Sequence, residues 1–267
     1  MKNILKIIMA LSLATMLTSC GISFGVDSRR SSNWSSGSSS NSAREEVNLS
    51  EDISDVNKIT MRIDVSDLNV MYHDGSNVEI TGKLSSYSKG VDINKSGSTF
   101  EIVEETKKST NLGSNNYSEL LIKIPRSFNG DLKLDFGVGS FNVKDLVLNN
   151  VEVDSGVGEV SLEEISFNSL DIESGVGSVS LVTKKKTGDI YISGGVGEVN
   201  VELGDINGNL KFDGGVGSAD IKVPVDAPIR INTKSGLGEA NISAKTSNEG
   251  KYSFDLGVGL GEVTVRN

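Results

Sequence analysis

The sequence predicts an all-β fold. It reads as a parallel β-solenoid, a β-helix-like stack of about seven Gly-Val-Gly repeats of 19–23 residues, with a degenerate N-terminal β portion. Three observations predict it. A Gly-Val-Gly or Gly-Leu-Gly unit recurs seven times, its first glycine at Gly137, Gly156, Gly175, Gly195, Gly215, Gly236 and Gly259. A regular period of this size is the mark of a solenoid, propeller or array. Aliphatic and polar residues alternate on both sides of each unit, which is a strand signal, and no stretch after the leader holds an apolar stripe at helical spacing for three turns. Only 3 of the 267 residues are proline and 5% are aromatic. Ladders therefore run uninterrupted, and the core must be built from valine, leucine and isoleucine.

The first element is an address. Lys2 and Lys6 precede an apolar run over residues 7–17, the charged and hydrophobic regions of a secretory signal peptide. The run is too short to span a bilayer, which needs about 20 apolar residues. It ends Leu17-Thr18-Ser19-Cys20-Gly21. This resembles the lipobox of bacterial lipoproteins, in which the cysteine sulfur takes a diacylglycerol and the signal is cut before it. The resemblance implies that residues 1–19 are removed and that Cys20, the chain's single cysteine, is lipidated. The attached acyl chains (palmitate among them) would anchor the chain at about 0.8 kcal/mol per buried CH₂.

The second element, residues 20–46, is rich in serine and reads as a flexible tether. Arg29 and Arg30 lie near the anchor, where headgroup contact is an alternative to simple solvation. The N-terminal β portion spans residues 47–128. It holds alternating segments at residues 59–65, 68–72 and 78–84, and His73-Asp74-Gly75-Ser76-Asn77 reads as a turn.

The repeats fill residues 129–267. In Leu170-Asp171-Ile172-Glu173-Ser174-Gly175-Val176-Gly177-Ser178-Val179-Ser180-Leu181, the residues Leu170, Ile172, Ser174 and Val176 share one parity and are expected to face inward. After the second glycine the parity flips, so that Val179 and Leu181 face inward. In a flat strand this slip would expose half the aliphatic residues. At a corner it keeps both arms on one interior, and glycine permits the bend. A stack of antiparallel hairpins also fits a strand–corner–strand unit. The residue after each corner favours the parallel stack: Ser140, Glu159, Ser178, Glu198 and Ser218 alternate. Alternation roughly doubles the spacing of like charges in layers about 4.8 Å apart. It breaks at Glu239 and Glu262, which is expected to mark a terminal coil out of register.

The unit Gly-Asp/Asn followed by alternating hydrophobics and Ser/Gly-Gly-Val-Gly resembles a bacterial adhesin-like domain of unknown function with a toast-rack-like β-solenoid. Gly130-Asp131-Leu132-Lys133-Leu134, Gly188-Asp189-Ile190-Tyr191-Ile192 and Gly208-Asn209-Leu210-Lys211-Phe212 carry the resemblance. So do Ile124-Pro125 and Val223-Pro224-Val225-Asp226-Ala227-Pro228, which resemble that family's links between coils. It covers about residues 50–267 and implies an extracytoplasmic protein without a catalytic motif.

Chemistry narrows the function. One cysteine and one histidine exclude a disulfide within the chain and a multi-histidine zinc site. A net charge of −10 argues against a nucleic-acid groove. Gly194-Gly195-Val196-Gly197-Glu198-Val199 matches half of a calcium β-roll, but Val199 and Ala219 stand where its aspartate belongs. Asp135, Asp154 and Glu173 form a possible carboxylate column, read as a solvated face interrupted by Ser193, resumed at Asp213 and ended by Lys234. Lys184-Lys185-Lys186 reads as a solvated loop, and His73 as a surface residue. Cys20 is thus the expected lipidation residue, with no catalytic, metal or cofactor-binding residue and no cofactor. The expected partners are a membrane through Cys20 and an unknown envelope protein or glycan, and no nucleic acid. The functional expectation is a non-catalytic, lipid-anchored binding or scaffolding module of the cell envelope. An envelope-stress or regulatory module acting on a membrane partner, and a polysaccharide lyase or hydrolase built on a β-helix, are the alternatives.

Overall fold

A computed structural model describes residues 44–107, 116–247 and 249–267. The expected leader, Cys20 and most of the expected tether lie outside them. The described residues hold fourteen strands in one sheet and no helix. They are β1 (Glu46–Asp52), β2 (Lys58–His73), β3 (Asn77–Lys83), β4 (Ser88–Ser96), β5 (Thr99–Thr106), β6 (Ser118–Pro125) and β7 (Asp131–Lys144). Then follow β8 (Asn150–Glu163), β9 (Phe167–Thr183), β10 (Thr187–Leu203), β11 (Leu210–Lys222), β12 (Ile229–Ser235), β13 (Glu239–Ile242) and β14 (Tyr252–Arg266).

The repeats stack in parallel, as the sequence predicts. β7, β8, β9, β10 and β11 pair in chain order, residue for residue through the corners. The first arm buries Leu132, Val151, Leu170, Ile190 and Leu210 in one column, and Leu134, Val153, Ile172, Ile192 and Phe212 in the next. The second arm buries Phe141, Val160, Val179, Val199 and Ala219. Segments between strands close the interior with Leu146, Leu148, Ile165, Ile206, Val223 and Ala227. Each fully buried aliphatic side chain contributes about 1.5–3 kcal/mol relative to exposure.

The ends do not follow chain order. The segments at residues 59–65 and 68–72 join into the single bent strand β2, which lies beside β7 as a further layer. Its corner, Asp64-Val65-Ser66, has no glycine. The opposite edge of β2 is covered by β5 along its first half and β6 along its second. The antiparallel pairings of β4 on β5, of β3 on β6 and of β1 on β3 complete that end. At the other end β14, last in the chain, pairs with β11, and β12 and β13 form the outer layer upon it.

This order corrects the expectation of a terminal coil out of register. Read in space, the column after the corner runs Asp67, Ser140, Glu159, Ser178, Glu198, Ser218, Glu262, Glu239. Acid and serine alternate without a break from Asp67 to Glu262. Only the last step sets two acids side by side. The break lies in the sequence order, because β12 and β13 leave a place that β14 returns to fill. His73 also departs from expectation. It ends β2 rather than opening the turn, and its Nε2 lies 2.7 Å from the Asn77 carbonyl.

Candidate functional site

The corner is the feature that β7–β11 and β14 build alike, and glycine makes it. The second corner glycines in β7–β11 and β14, from Gly139 to Gly261, have φ between +133° and +152°. A Cβ at Gly197 would sit 1.7 Å from the Gly177 carbonyl oxygen in the layer below. The first corner glycines also stack closely: a Cβ at Gly195 would lie 2.3 Å from the Gly175 oxygen. Both positions therefore need glycine, one for its backbone angle and both for the approach of the next layer.

The residue between them turns outward. Val157, Val176, Val196, Val216 and Leu260 are 41–51% exposed and stack in register. The inward placement expected for Val176 is thus wrong. Ser174 and Val179 keep to the inner side and lie an odd number of residues apart. The extra residue is absorbed at the bend, and the side chain between the glycines falls on its convex side. Leu237 extends the row into the outer layer. Val65 and Val138, at the other end of the same column, are buried and half-buried.

Acids border this ridge on both sides. Glu159, Glu198 and Glu262 follow it on the second arm. Before it stands the column Arg62, Asp135, Asp154, Glu173, Ser193, Asp213, Gly257, Lys234, in spatial order. The sequence-predicted column Asp135, Asp154, Glu173 is thus brought together, as are Ser193 and Asp213 beyond it, while Gly257 of β14 separates Asp213 from Lys234. Asp135, Asp154, Glu173 and Ser193 line an open groove with the glycines Gly137, Gly156 and Gly175. One step outward runs Lys133, Glu152, Asp171, Tyr191, Lys211. Lys133 bonds Glu152 at 2.5 Å and reaches Asp154 at 3.9 Å. Lys211 lies 4.9 Å from the Tyr191 ring centre.

Burial and neighbouring charge both act on the carboxyls of this face. Burial raises the Asp154 carboxyl above its ordinary range; Lys133 opposes this, and Glu152, Glu173 and Asp135 add to it. Burial, then Glu173, Glu152 and Asp154, raises Asp171. Among the described residues no group of three or more histidines, cysteines or carboxylates is placed to hold a metal ion. Val199 and Ala219, at the aspartate position of a calcium β-roll, are buried in the core.

The remaining sequence candidates do not join the corner. Lys184-Lys185-Lys186 links β9 to β10, where Lys185 Nζ bonds Asp145 Oδ1 and the Lys184 amide donates to Glu164 Oε2 at 3.3 Å. His73 Nδ1 faces Glu79 at 3.8 Å. A polar cluster that the sequence does not mark lies under the β5–β6 end. There the fully buried Glu104 accepts a 3.0 Å bond from Ser118 Oγ, and its Oε2 has no partner among the described residues.

Comparison with known proteins agrees with this architecture. No curated protein matches the chain. A solved structure of a candidate adhesin from Bacteroides fragilis superposes with a TM-score of 0.51 at 15% identity, covering 83% of this chain and 97% of that one. A candidate cell adhesion protein from Clostridium sporogenes gives 0.44 at 15% identity over 84% and 99%. A candidate lipid binding protein from Parabacteroides distasonis gives 0.49 at 16% identity over 85% and 97%. The first of these supports the fold and nothing finer. The family model described as Toastrack DUF4097 matches residues 56–260. That span runs from just before β2 to the corner of β14 and takes in every layer of the stack, so the chain belongs to the Toastrack DUF4097 family.

Proposed function

We propose that this protein is a non-catalytic binding module of the cell envelope, adhesin-like or scaffolding in role, held to a membrane by lipid on Cys20. The observation that carries the reading is repetition. The same exposed corner, with an aliphatic ridge between columns that carry acids, is presented layer after layer on one sheet. Solenoids use such extended faces for binding. The names of the three structural neighbours, two for adhesion and one for lipid binding, are in keeping with it.

Two experiments test its parts. In metabolic labelling, a fatty acid should mark the wild-type protein, while Cys20→Ser should lose the label and either leave the membrane or remain unprocessed. Label retained by the variant contradicts the anchor. In intact envelopes, cross-linking of the full-length chain should capture a defined protein or glycan, and a glycan-degradation screen should give no products. Turnover that depends on Asp154 or Glu173 would overturn the non-catalytic reading.

A further inference from the structure

We propose that the corner ridge is a docking site for an extended polypeptide segment that carries aliphatic side chains flanked by lysines or arginines. The proposal rests on the binding-module reading above and names the site and the partner's chemistry. Val157, Val176, Val196, Val216 and Leu260 stand half-exposed in consecutive layers, and Leu237 is 87% exposed beyond them. Six layers about 4.8 Å apart make a strip of about 24 Å. Scattered exposed valines are ordinary, but a contiguous apolar strip of this kind marks an interaction surface. The glycine columns directly beside the ridge carry no side chains, so a partner's backbone can come close.

Charge decides which partner fits. Asp135 and Glu173 on one flank, and Glu159 and Glu198 on the other, make no salt bridge among the described residues. Elsewhere on the stack acids do find cations in the neighbouring layer: Glu152 with Lys133, Glu163 with Lys144 and Glu202 with Lys222. On the same flank Asp154 and Asp213 do reach Lys133 and Lys211, so Asp135, Glu173, Glu159 and Glu198 are the acids left without an ion pair beside an uncovered apolar strip. A second copy of this chain would bring acid against acid, and an anionic membrane would be repelled. A basic, aliphatic segment satisfies both the strip and its borders.

The test uses the full-length chain and a labelled peptide of eight residues alternating valine and lysine, about 27 Å when extended. Peptides alternating serine with lysine, and valine with glutamate, are the controls. The valine–lysine peptide should bind at least tenfold more tightly than either control. Val176→Thr combined with Val196→Thr keeps shape while removing apolar surface, and should weaken binding about tenfold with an unchanged melting temperature. Glu159→Gln with Glu198→Gln should weaken it about threefold in low salt and not at all in high salt, where exposed charges are screened. Equal binding of the serine–lysine peptide, or unchanged affinity of a folded Val→Thr variant, overturns the proposal. So does self-association or binding to anionic vesicles that the Val→Thr pair abolishes. Envelope capture separates the two levels: capture that persists in the Val→Thr variant places binding elsewhere on the module, whereas no capture by the wild type removes the binding reading itself.

Discussion

Gly194 and Gly197 sit three residues apart in one corner and answer to different constraints. Nothing lies within 4 Å of a Cβ added at Gly194, whereas at Gly197 it would meet a carbonyl oxygen at 1.7 Å with φ at +152°. Gly194→Ala should stabilise by about 0.4–1 kcal/mol, through the unfolded chain. Gly197→Ala carries backbone strain of about 1–3 kcal/mol before the clash is counted. Thermal melts of the two variants should move in opposite directions. Asp171 gives a prediction with a pH signature. Its carboxyl is raised in the folded state, chiefly by burial and then by Glu173. The stability linked to that group is present below the unfolded pKa and lost as pH rises through the folded one. Asp171→Asn should therefore be more stable than wild type at neutral pH, by about 0.2–1 kcal/mol for the relief of one like-charge pair. The difference should vanish once the pH falls below the ordinary carboxylate range. The need for glycine was legible at Gly195 and Gly197, because a repeated Gly-x-Gly at a parity flip demands a bend. The outward turn of Val176 was not, because period-2 counting assumes a straight strand and the bend consumes one residue.

The bent strand is the unit of construction, and its register is fixed by both arms at once. Sliding one layer by a residue would expose Leu170 and Ile172 and bury Asp171 and Glu173. The serine–glutamate alternation after the corner is a second device, keeping like charges two layers apart. Ser178→Glu removes it by placing a third glutamate between Glu159 and Glu198, its direct partners on either side. Each new pair should destabilise by about 0.2–1 kcal/mol, and the loss should shrink in high salt. Ser178→Gln controls for size. Equal melting of the two variants in low salt would argue against stacked corners. The alternation was legible because its logic is electrostatic and local. The polar cluster around Glu104 was not, because it draws Ser66 from β2, Ser85 from the link between β3 and β4, and Ser118 from β6, with no motif in common.

Across the folded body, chain order and layer order part company at both ends. β2 precedes the repeats by a long stretch of sequence yet stacks directly on β7, and β14 slips between β11 and β12. Sequence reasoning misses this because self-similarity shows that units stack but not in what order. A residue of the right type at a corner fits any layer. The spatial column Ser218, Glu262, Glu239 carries the decision. Neighbouring layers lie about 4.8 Å apart and layers two apart about 10 Å, so amide-to-amide NOEs in the deuterated full-length chain separate the alternatives. The parallel, reordered stack predicts NOEs from Ser218 to both Glu198 and Glu262, and none from Ser218 to Glu239. An NOE from Ser218 to Glu239 in place of Glu262, or none from Ser218 to either Glu198 or Glu262, would contradict the stack.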